Sequence, residues 1–147
     1  MKRILLLLIP LLFIGCSKLQ KEGAKENKRY LQHVNLSGAD LSNFELTNVD
    51  LSNATLKRAN LARADLQGSK LVDTNFQAAF CEKTNFQNAD CRGADFISAH
   101  LEGALFEDAD LTHARFQGAT VKKADFRGAK GITEEVRQKL EEKGALF

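Results

Sequence analysis

An unbroken five-residue spacing of apolar side chains runs through residues 36–126 and leaves the chain very few ways to fold. Every fifth residue in this stretch is apolar, and alanine stands two residues earlier at thirteen of the nineteen positions. We call each of these apolar residues a centre and each set of five residues a unit. The centres are Leu36, Leu41, Leu46, Leu51, Leu56, Leu61, Leu66, Leu71, Phe76, Cys81, Phe86, Cys91, Phe96, Leu101, Phe106, Leu111, Phe116, Val121 and Phe126.

A period of five suits neither of the ordinary secondary structures. On an α-helix each step of five residues turns by roughly 500°, so the centres would spread over every side. On a flat strand, consecutive centres would point to opposite faces. The pattern is consistent only if the backbone turns once in every unit. Glycine or asparagine occupies the second residue after the centre in ten of the nineteen units, and both residues tolerate turn conformations.

The units resemble those of the pentapeptide-repeat family, whose consensus is similar to Ala-(Asp/Asn)-Leu-x-x. Residues 39–43, 64–68 and 124–128 follow this pattern closely. The resemblance implies an all-β fold, a right-handed quadrilateral β-helix in which four units form one coil. Nineteen units divided by four would give 4.75 coils, and at ~4.8 Å per coil the rod would be about 23 Å long.

Four units per coil would stack centres that lie twenty residues apart, and the sequence has a matching second period. All six phenylalanine centres then fall on two opposite faces. The first face stacks Leu36, Leu56, Phe76, Phe96 and Phe116, and the third stacks Leu46, Leu66, Phe86, Phe106 and Phe126. The second face stacks Leu41, Leu61, Cys81, Leu101 and Val121, and the fourth stacks Leu51, Leu71, Cys91 and Leu111. We therefore expect two ladders of stacked phenylalanine rings.

Cys81 and Cys91 lie on opposite faces of this predicted coil. Small cysteines would offset the volume of the phenylalanines in the same layer. The alternative is a disulfide bond, which forms in oxidising compartments. Opposite walls of a filled core stand roughly 10 Å apart, whereas a disulfide needs Cα atoms within about 7 Å. We therefore predict buried free thiols.

Both ends of the predicted solenoid carry features that would cover its open backbone. Residues 132–147 show helix signals, with Thr133 as N-cap and Gly144 at the C′ position. We predict a capping helix that lies on the last coil as a lid, and the alternative is an amphipathic helix that binds a partner. At the other end, valine or phenylalanine replaces alanine, which predicts a widened or irregular first coil. These residues are Val34, Phe44 and Val49.

Residues 1–15 have the features of a bacterial lipoprotein signal peptide. Lys2 and Arg3 precede an apolar run over 4–14, which is too short to span a bilayer but fits a signal-peptide core. The run ends in Gly15-Cys16, which resembles the lipobox in which the cysteine sulfur carries diacylglycerol. We expect lipidation at Cys16, and the alternative is an ordinary secretory signal with an incidental cysteine.

Residues 16–30 are interpreted as the lipidated cysteine followed by a flexible tether. Residues 17–29 contain five bases, two acids and only two apolar side chains, a composition too polar to form a core. Thirteen such residues would reach roughly 20 Å. The segment is a solvated spacer or, alternatively, contacts anionic lipid headgroups. By resemblance to enterobacterial sorting, Ser17 favours the periplasmic side of the outer membrane over the inner membrane.

The outward residues of 31–131 show no constellation for catalysis. His33, His100 and His113 lie on different units without paired ligands at metal spacing, and no nucleophile stands beside a base. Asp or Asn precedes eleven centres, which is typical of local bonding to the backbone at turns. Acids one coil apart, such as Glu82 and Glu102, are interpreted as tolerated repulsion. We therefore predict no catalytic residue, no cofactor and no metal ligand.

Outward positions of the predicted coil are mostly polar, but three of them carry large apolar side chains, namely Phe80, Ile97 and Leu105. Phe80 and Ile97 are expected near one edge between the first two faces, with His100 beside them, and Leu105 stands apart on the third face. Isolated exposed apolar residues are ordinary in proteins. The group of Phe80, Ile97 and His100 is nevertheless the candidate contact for a protein partner.

These features favour a lipid-anchored protein of the bacterial cell envelope that acts as a non-catalytic scaffold or interaction module. One alternative is a nucleic-acid-mimic inhibitor, because some acidic members of the family protect DNA gyrase. Residues 30–131 carry thirteen acids and eleven bases, too even a balance for a duplex-like field, and no nucleic-acid partner is expected. The other alternative is an envelope enzyme, which lacks site residues.

Overall fold

The computed structural model describes residues 31–147, which form a rod of stacked coils followed by one helix. The residue just before each centre forms a parallel bridge with the residue twenty positions later, from Asn35–Thr55 to Asp110–Lys130. Four units therefore make one coil, as the resemblance implies. Cys16 and the segments interpreted as signal peptide and tether lie outside the described residues.

Hydrogen bonds between coils repeat with the same register along the rod. The Leu36 N–H donates to the Thr55 carbonyl at 2.8 Å and the Gly38 N–H donates to the Lys57 carbonyl at 2.9 Å. The Ala39 N–H closes a turn on the Leu36 carbonyl at 3.0 Å. Because each face is only a few residues long, pairing within 31–147 consists of isolated bridges, and no continuous strand forms there.

Every unit turns through the same left-handed residue. The second residue after the centre has positive φ in twenty consecutive units, from His33 to Gly128. Six of these residues are glycine, and fourteen are not, among them Ala78 at 52°. A positive φ at this place is typical of a type II turn and favours glycine or asparagine. The stacked coil therefore imposes the conformation even where the residue does not prefer it.

The asparagine and aspartate residues before the centres complete the backbone hydrogen bonding. In each of these eleven units the side-chain Oδ1 accepts the N–H two residues later, for example from Ser42 to Asp40 at 3.1 Å and from Ile97 to Asp95 at 3.1 Å. The other acceptors are Asn35, Asp50, Asn60, Asp65, Asn75, Asn85, Asp90, Asp110 and Asp125. The prediction of local side-chain bonding is confirmed.

The first coil is regular, which corrects two expectations. The Leu31 N–H donates to the Asp50 carbonyl at 2.7 Å, so Leu31 is a twentieth centre and the rod has five coils rather than 4.75. Val49 is buried and Phe44 partly buried without any change of register. The larger side chains pack against the core without displacing the bridges of the first coil.

Two phenylalanine ladders fill the C-terminal part of the core, as predicted. The rings of Phe76 and Phe96 stack at 4.9 Å with 6° between their planes, and those of Phe86 and Phe106 stack at 4.7 Å with 5°. Across the core the two ladders meet edge to face, as Phe96 and Phe106 do at 5.5 Å. Stacked and edge-to-face pairs both suit the aromatic quadrupole.

The core also contains small and polar side chains, and the coil provides hydrogen-bond partners for the hydroxyl groups among them. Cys81 and Cys91 are fully buried free thiols, as predicted, and burial raises the pKa of both. Thr84 occupies an alanine position, and its hydroxyl donates to the Leu61 carbonyl at 2.7 Å. Thr74 donates in the same way to the Leu51 carbonyl at 2.9 Å. These buried hydroxyls therefore add hydrogen bonds between coils and are not left without a partner.

One helix, α1 (Glu134–Glu141), follows the rod and begins and ends with the predicted caps. The Thr133 hydroxyl accepts the Val136 N–H at 3.4 Å. At the other end the N–H of Gly144 donates to Glu141 and that of Ala145 donates to Leu140, a Schellman motif with Gly144 at C′. This eight-residue helix is too short to span a membrane, and residues 31–147 contain no helix that is long and apolar enough to do so.

The chain returns to the rod after α1 and adds part of a further layer. The Leu146 N–H donates to the Ala124 carbonyl at 2.8 Å, and the Phe126 N–H donates to the Leu146 carbonyl at 2.7 Å. Phe147 stacks on Phe126 at 5.2 Å and so extends one phenylalanine ladder. With Leu140 buried, α1 and the residues after it lie against the last coil, as the lid prediction requires.

Candidate functional site

The second face carries the predicted contact group on its outer side. Phe80 and His100 are bridged residues on neighbouring coils, and their rings stack at 5.0 Å with 9° between the planes. Phe80 remains 44% exposed. Among residues 31–147, Phe80 and Leu146 are the large apolar side chains that are exposed, and Leu146 lies at the end of the rod. Phe80 is therefore the exposed large apolar residue on the side of the rod.

Ile97 lies close to this pair in the chain but is less accessible. It occupies the turn between the first and second faces, three residues before His100, and it is partly buried. Its N–H donates to the Asp95 carboxylate at 3.1 Å. Leu105 is partly buried on the third face. The structure thus brings Phe80 and His100 together and places Ile97 at the adjoining edge.

A cluster of three potential ligands stands beside Phe80, and the sequence interpretation missed it. The carboxylates of Glu82 and Glu102 and the imidazole of His100 have ligand atoms within 4.8 Å of one another. The expectation that no histidine has ligands at metal spacing is therefore wrong for His100. The twenty-residue period already stacked Glu82 on Glu102, and His100 lies two residues before Glu102. These two spacings together could have indicated the cluster from the sequence.

The two glutamates of this cluster lack the counterions that other stacked acids have. Within the described part of the chain, no hydrogen bond or ion pair to the carboxylate of Glu82 or Glu102 is found, and Glu102 Oε2 is shielded from solvent without a partner. By contrast, Asp90 and Asp110 also stand one coil apart, and Arg92 Nε lies 2.7 Å and 4.0 Å from their oxygens.

Neighbouring charges on the third face are paired. The Arg127 guanidinium lies 3.0 Å from Glu107 and 2.5 Å from Asp125. Its hydrogen bonds lower the pKa of the Asp125 carboxyl and raise the pKa of the guanidinium. The carboxylates of Glu82 and Glu102 differ from these paired acids, because no hydrogen bond or ion pair of the described residues reaches them.

Comparison with protein families and solved structures agrees with this geometry. The family described as pentapeptide repeats matches residues 30–68 and 89–128, in eight copies. A solved pentapeptide repeat protein from the thylakoid lumen of Arabidopsis thaliana is 29% identical, with a TM-score of 0.56, over 78% of this chain and 79% of that protein. No curated protein sequence matches the chain.

Two further solved structures resemble the chain less closely. HetL of the cyanobacterium Nostoc, a pentapeptide repeat protein involved in regulating heterocyst differentiation, is 30% identical with a TM-score of 0.45, over 68% of this chain and 51% of HetL. QnrB1, a plasmid-mediated fluoroquinolone resistance protein, is 21% identical with a TM-score of 0.33, over 71% of this chain and 63% of that structure. At these TM-scores neither protein informs the function of this chain.

Proposed function

This chain belongs to the pentapeptide-repeat family, and from that premise we propose that it is a lipid-anchored protein of the bacterial cell envelope. Its rod acts as a non-catalytic scaffold or protein-interaction module. The observation that carries the interaction role is the exposed Phe80 ring stacked on His100 on the side of the rod. Aromatic side chains are enriched at protein interfaces, where they supply much of the buried apolar area.

The construction of the rod supports a scaffold rather than an enzyme. In eleven units the Asp or Asn side chain before the centre accepts a backbone N–H group, so these side chains brace the turns. The core is continuous through five coils, which gives the outer surface a fixed shape. A rigid surface reduces the conformational entropy that is lost when a partner binds.

The membrane anchor is proposed from the amino-terminal sequence. Gly15-Cys16 follows the apolar run where a lipobox would stand, and each buried CH₂ of an acyl chain on Cys16 would contribute roughly 0.8 kcal/mol. Two or three chains would hold the protein stably on the membrane. The tether would then place the first coil within roughly 20 Å of the lipid surface. Ser17 favours the periplasmic face of the outer membrane over the inner membrane.

The anchor is tested by replacing its cysteine. Cys16→Ala should remove the acyl label and move the protein from the membrane to the soluble fraction after cell fractionation. Ser17→Asp is the matched variant: it should retain the label and shift the protein towards the inner membrane. Unchanged labelling and fractionation of Cys16→Ala would show that this cysteine is not the anchor.

The interaction role is tested by site-specific photo-crosslinking in envelope membranes. A photoreactive phenylalanine analogue at position 80 should give one discrete crosslinked species. The same analogue in place of Asp40, which lies on the same face two coils away, should not. The Phe80→Gln variant carrying a probe at position 60 should lose any crosslink that depends on the aromatic ring. Equal crosslinking from positions 40 and 80 would argue against a specific contact at Phe80.

A nucleic-acid-mimic role has no comparable support. Thirteen acids and eleven bases in residues 30–131 leave a nearly balanced charge, and several of the acids are paired with arginine. A duplex mimic needs a strong continuous negative field. The interaction module is therefore the function that the surface favours.

A further inference from the structure

We propose that Glu82, His100 and Glu102 form a binding site for one divalent transition-metal ion of the zinc type on the side of the rod. The site is distinct from the proposed lipid anchor and does not depend on it. Two carboxylates and one imidazole are ligands that zinc accepts in proteins. They come from two units, one coil apart, which the stacking brings together across twenty residues.

The spacing of the ligand atoms suits a single ion after a small side-chain movement. The three atoms lie within 4.8 Å of one another. Zinc bonds of about 2.0–2.2 Å at tetrahedral angles place ligand atoms roughly 3.4 Å apart. Glutamate can close this difference by rotation about its terminal bonds, because its last torsion is broad. Hydrogen bonds between neighbouring coils fix the backbone of the two coils, so the backbone need not move.

The electrostatics of the cluster call for a cation. Two carboxylates held this close repel each other unless a positive charge lies between them. Glu102 Oε2 is shielded from solvent and has no hydrogen-bond partner in the described residues, although buried polar atoms are almost always paired. At the stacked acids Asp90 and Asp110, Arg92 supplies the charge. At Glu82 and Glu102 a metal ion would take that role.

The ring of His100 is held where it can coordinate. It stacks on Phe80 at 5.0 Å, with 9° between the planes, so its nitrogens lie in a plane parallel to the phenylalanine ring. An imidazole together with carboxylates favours zinc and its neighbours over magnesium or calcium, which prefer oxygen ligands alone. Three protein ligands leave the fourth tetrahedral position to water.

The direct test is calorimetric titration of the full chain, purified in detergent and stripped of metal with a chelator, using zinc chloride. We expect one ion per chain. His100→Gln, Glu82→Gln and Glu102→Gln should each weaken zinc binding by at least about 10-fold, since loss of an outer-shell partner alone costs 10–100-fold. The matched controls, Glu107→Gln at the next turn of the same coil and His113→Gln on another face, should retain the affinity.

Cobalt provides a second readout that does not depend on heat signals. A tetrahedral site should give intense visible absorption with Co²⁺ in the unaltered chain and in both controls, and it should be lost in the three ligand variants. All variants should show the metal-free circular dichroism of the unaltered chain, because the replaced side chains point outward. Absence of stoichiometric binding, or binding that survives all three substitutions, would overturn the proposal.

The metal site and the protein-contact role can fail separately. Phe80→Gln removes the ring that stacks on His100 but none of the three ligands, so it should retain a zinc site with at most a moderate loss of affinity. Glu82→Gln should abolish tight zinc binding, and a crosslink at position 80 that persists in this variant would separate the two functions. Zinc affinity unchanged in Glu82→Gln, with the crosslink intact, would reject the metal site alone.

Discussion

Two parts of the rod share one backbone and fill it in different ways. In the leucine segment, residues 31–75, all nine centres are leucine. In the phenylalanine segment, residues 76–130, six of the eleven centres are phenylalanine and the others are cysteine, leucine or valine. The bridges, the turn φ angles and the register continue through both segments without interruption. The coil geometry is therefore set by hydrogen bonding and turns rather than by one kind of core.

The difference shows how a four-sided core tolerates large residues. In the phenylalanine segment every phenylalanine centre stands on the first or third face, and smaller centres such as Cys81 and Cys91 line the other two. In the leucine segment four similar side chains share each layer. Both arrangements keep the total volume of a layer within limits, which matters more in protein cores than the identity of single residues. The phenylalanine segment gains ring-to-ring contacts along the axis.

The largest expected effect comes from a charge in the leucine segment. Leu66→Asp places an unpaired carboxylate at a position with no solvent exposure and should destabilise the rod by several kcal/mol, on the order of 3–5. Because the core is continuous, we expect both segments to unfold together at lower urea, followed by circular dichroism. Thr47→Asp, at an exposed turn, is the control. A remaining transition at the original midpoint would show instead that the phenylalanine segment folds alone.

Exchanging the two core residues tests whether each segment is specifically packed. Phe96 stacks on Phe76 and Phe116, so Phe96→Leu should lose about 1–3 kcal/mol through a smaller side chain and missing ring contacts. Leu56→Phe, on the same face of the leucine segment, should also lose about 1–3 kcal/mol through overpacking. Urea unfolding measures both variants. If Leu56→Phe is neutral, the leucine segment has spare volume and is less tightly packed than proposed.

The aspartates at the turns should make both segments sensitive to acid. Hydrogen bonds from Ser42 lower the pKa of Asp40, and those from Thr112 lower the pKa of Asp110. The unfolded carboxyls, with a usual pKa of about 3.9, bind protons more readily. The stability that these turns supply is therefore complete above about pH 4 and falls as the pH drops through the lowered pKa values.

The acid effect is measured as the shift in urea midpoint between pH 7 and pH 3. Asp110→Asn keeps the acceptor oxygen, as Asn60 does naturally, but cannot ionise, so the shift should shrink. Asn60→Asp is the reciprocal control in the leucine segment and should enlarge it. An Asp110→Asn variant with an unchanged shift would mean that this turn does not contribute to acid sensitivity.

The smallest expected effect concerns the turns that both segments share. Ala78 adopts φ of 52° in the first turn of the phenylalanine segment, where the leucine segment uses Asn43, Asn48 and Asn53 for such turns. Ala78→Gly relieves about 1–2 kcal/mol of strain and loses about 0.4–1 kcal/mol to the freer unfolded chain. A net gain of about 0.5 kcal/mol is expected in thermal or urea unfolding. Ala79→Gly, at a buried position with ordinary φ, should lose stability; equal effects of the two would refute the turn argument.

Much of the fold could be predicted from the spacing of residues together with the family resemblance, which implied four units per coil. The periods of five and twenty predicted the buried centres, the stacked phenylalanine rings and the free cysteines, because a solenoid converts sequence distance directly into spatial distance. The caps of α1 followed from Thr133 and Gly144. Leu31 was missed because no run of matching units precedes it.

The outer surface was harder to predict than the core. The Glu82–Glu102 stack followed from the period, but the period gives the positions of Cα atoms and not the direction of long side chains. Whether His100 turns towards those carboxylates depends on its stacking against Phe80, and only the structure shows this. Local side-chain packing, rather than register, decides where such groups meet.

The twenty-residue coil fixes both the distance along the rod and the direction in which each surface residue points. Inserting a whole coil would lengthen the rod by about 4.8 Å, and removing one would shorten it by the same amount. Either change would leave each surface residue on the same side. Removing a single unit between the anchor and Phe80 would keep all remaining centres inward but rotate Phe80 and His100 by a quarter turn relative to the amino terminus. Length and direction of presentation can thus be varied independently, by changes that leave the turn and bridge of every unit intact.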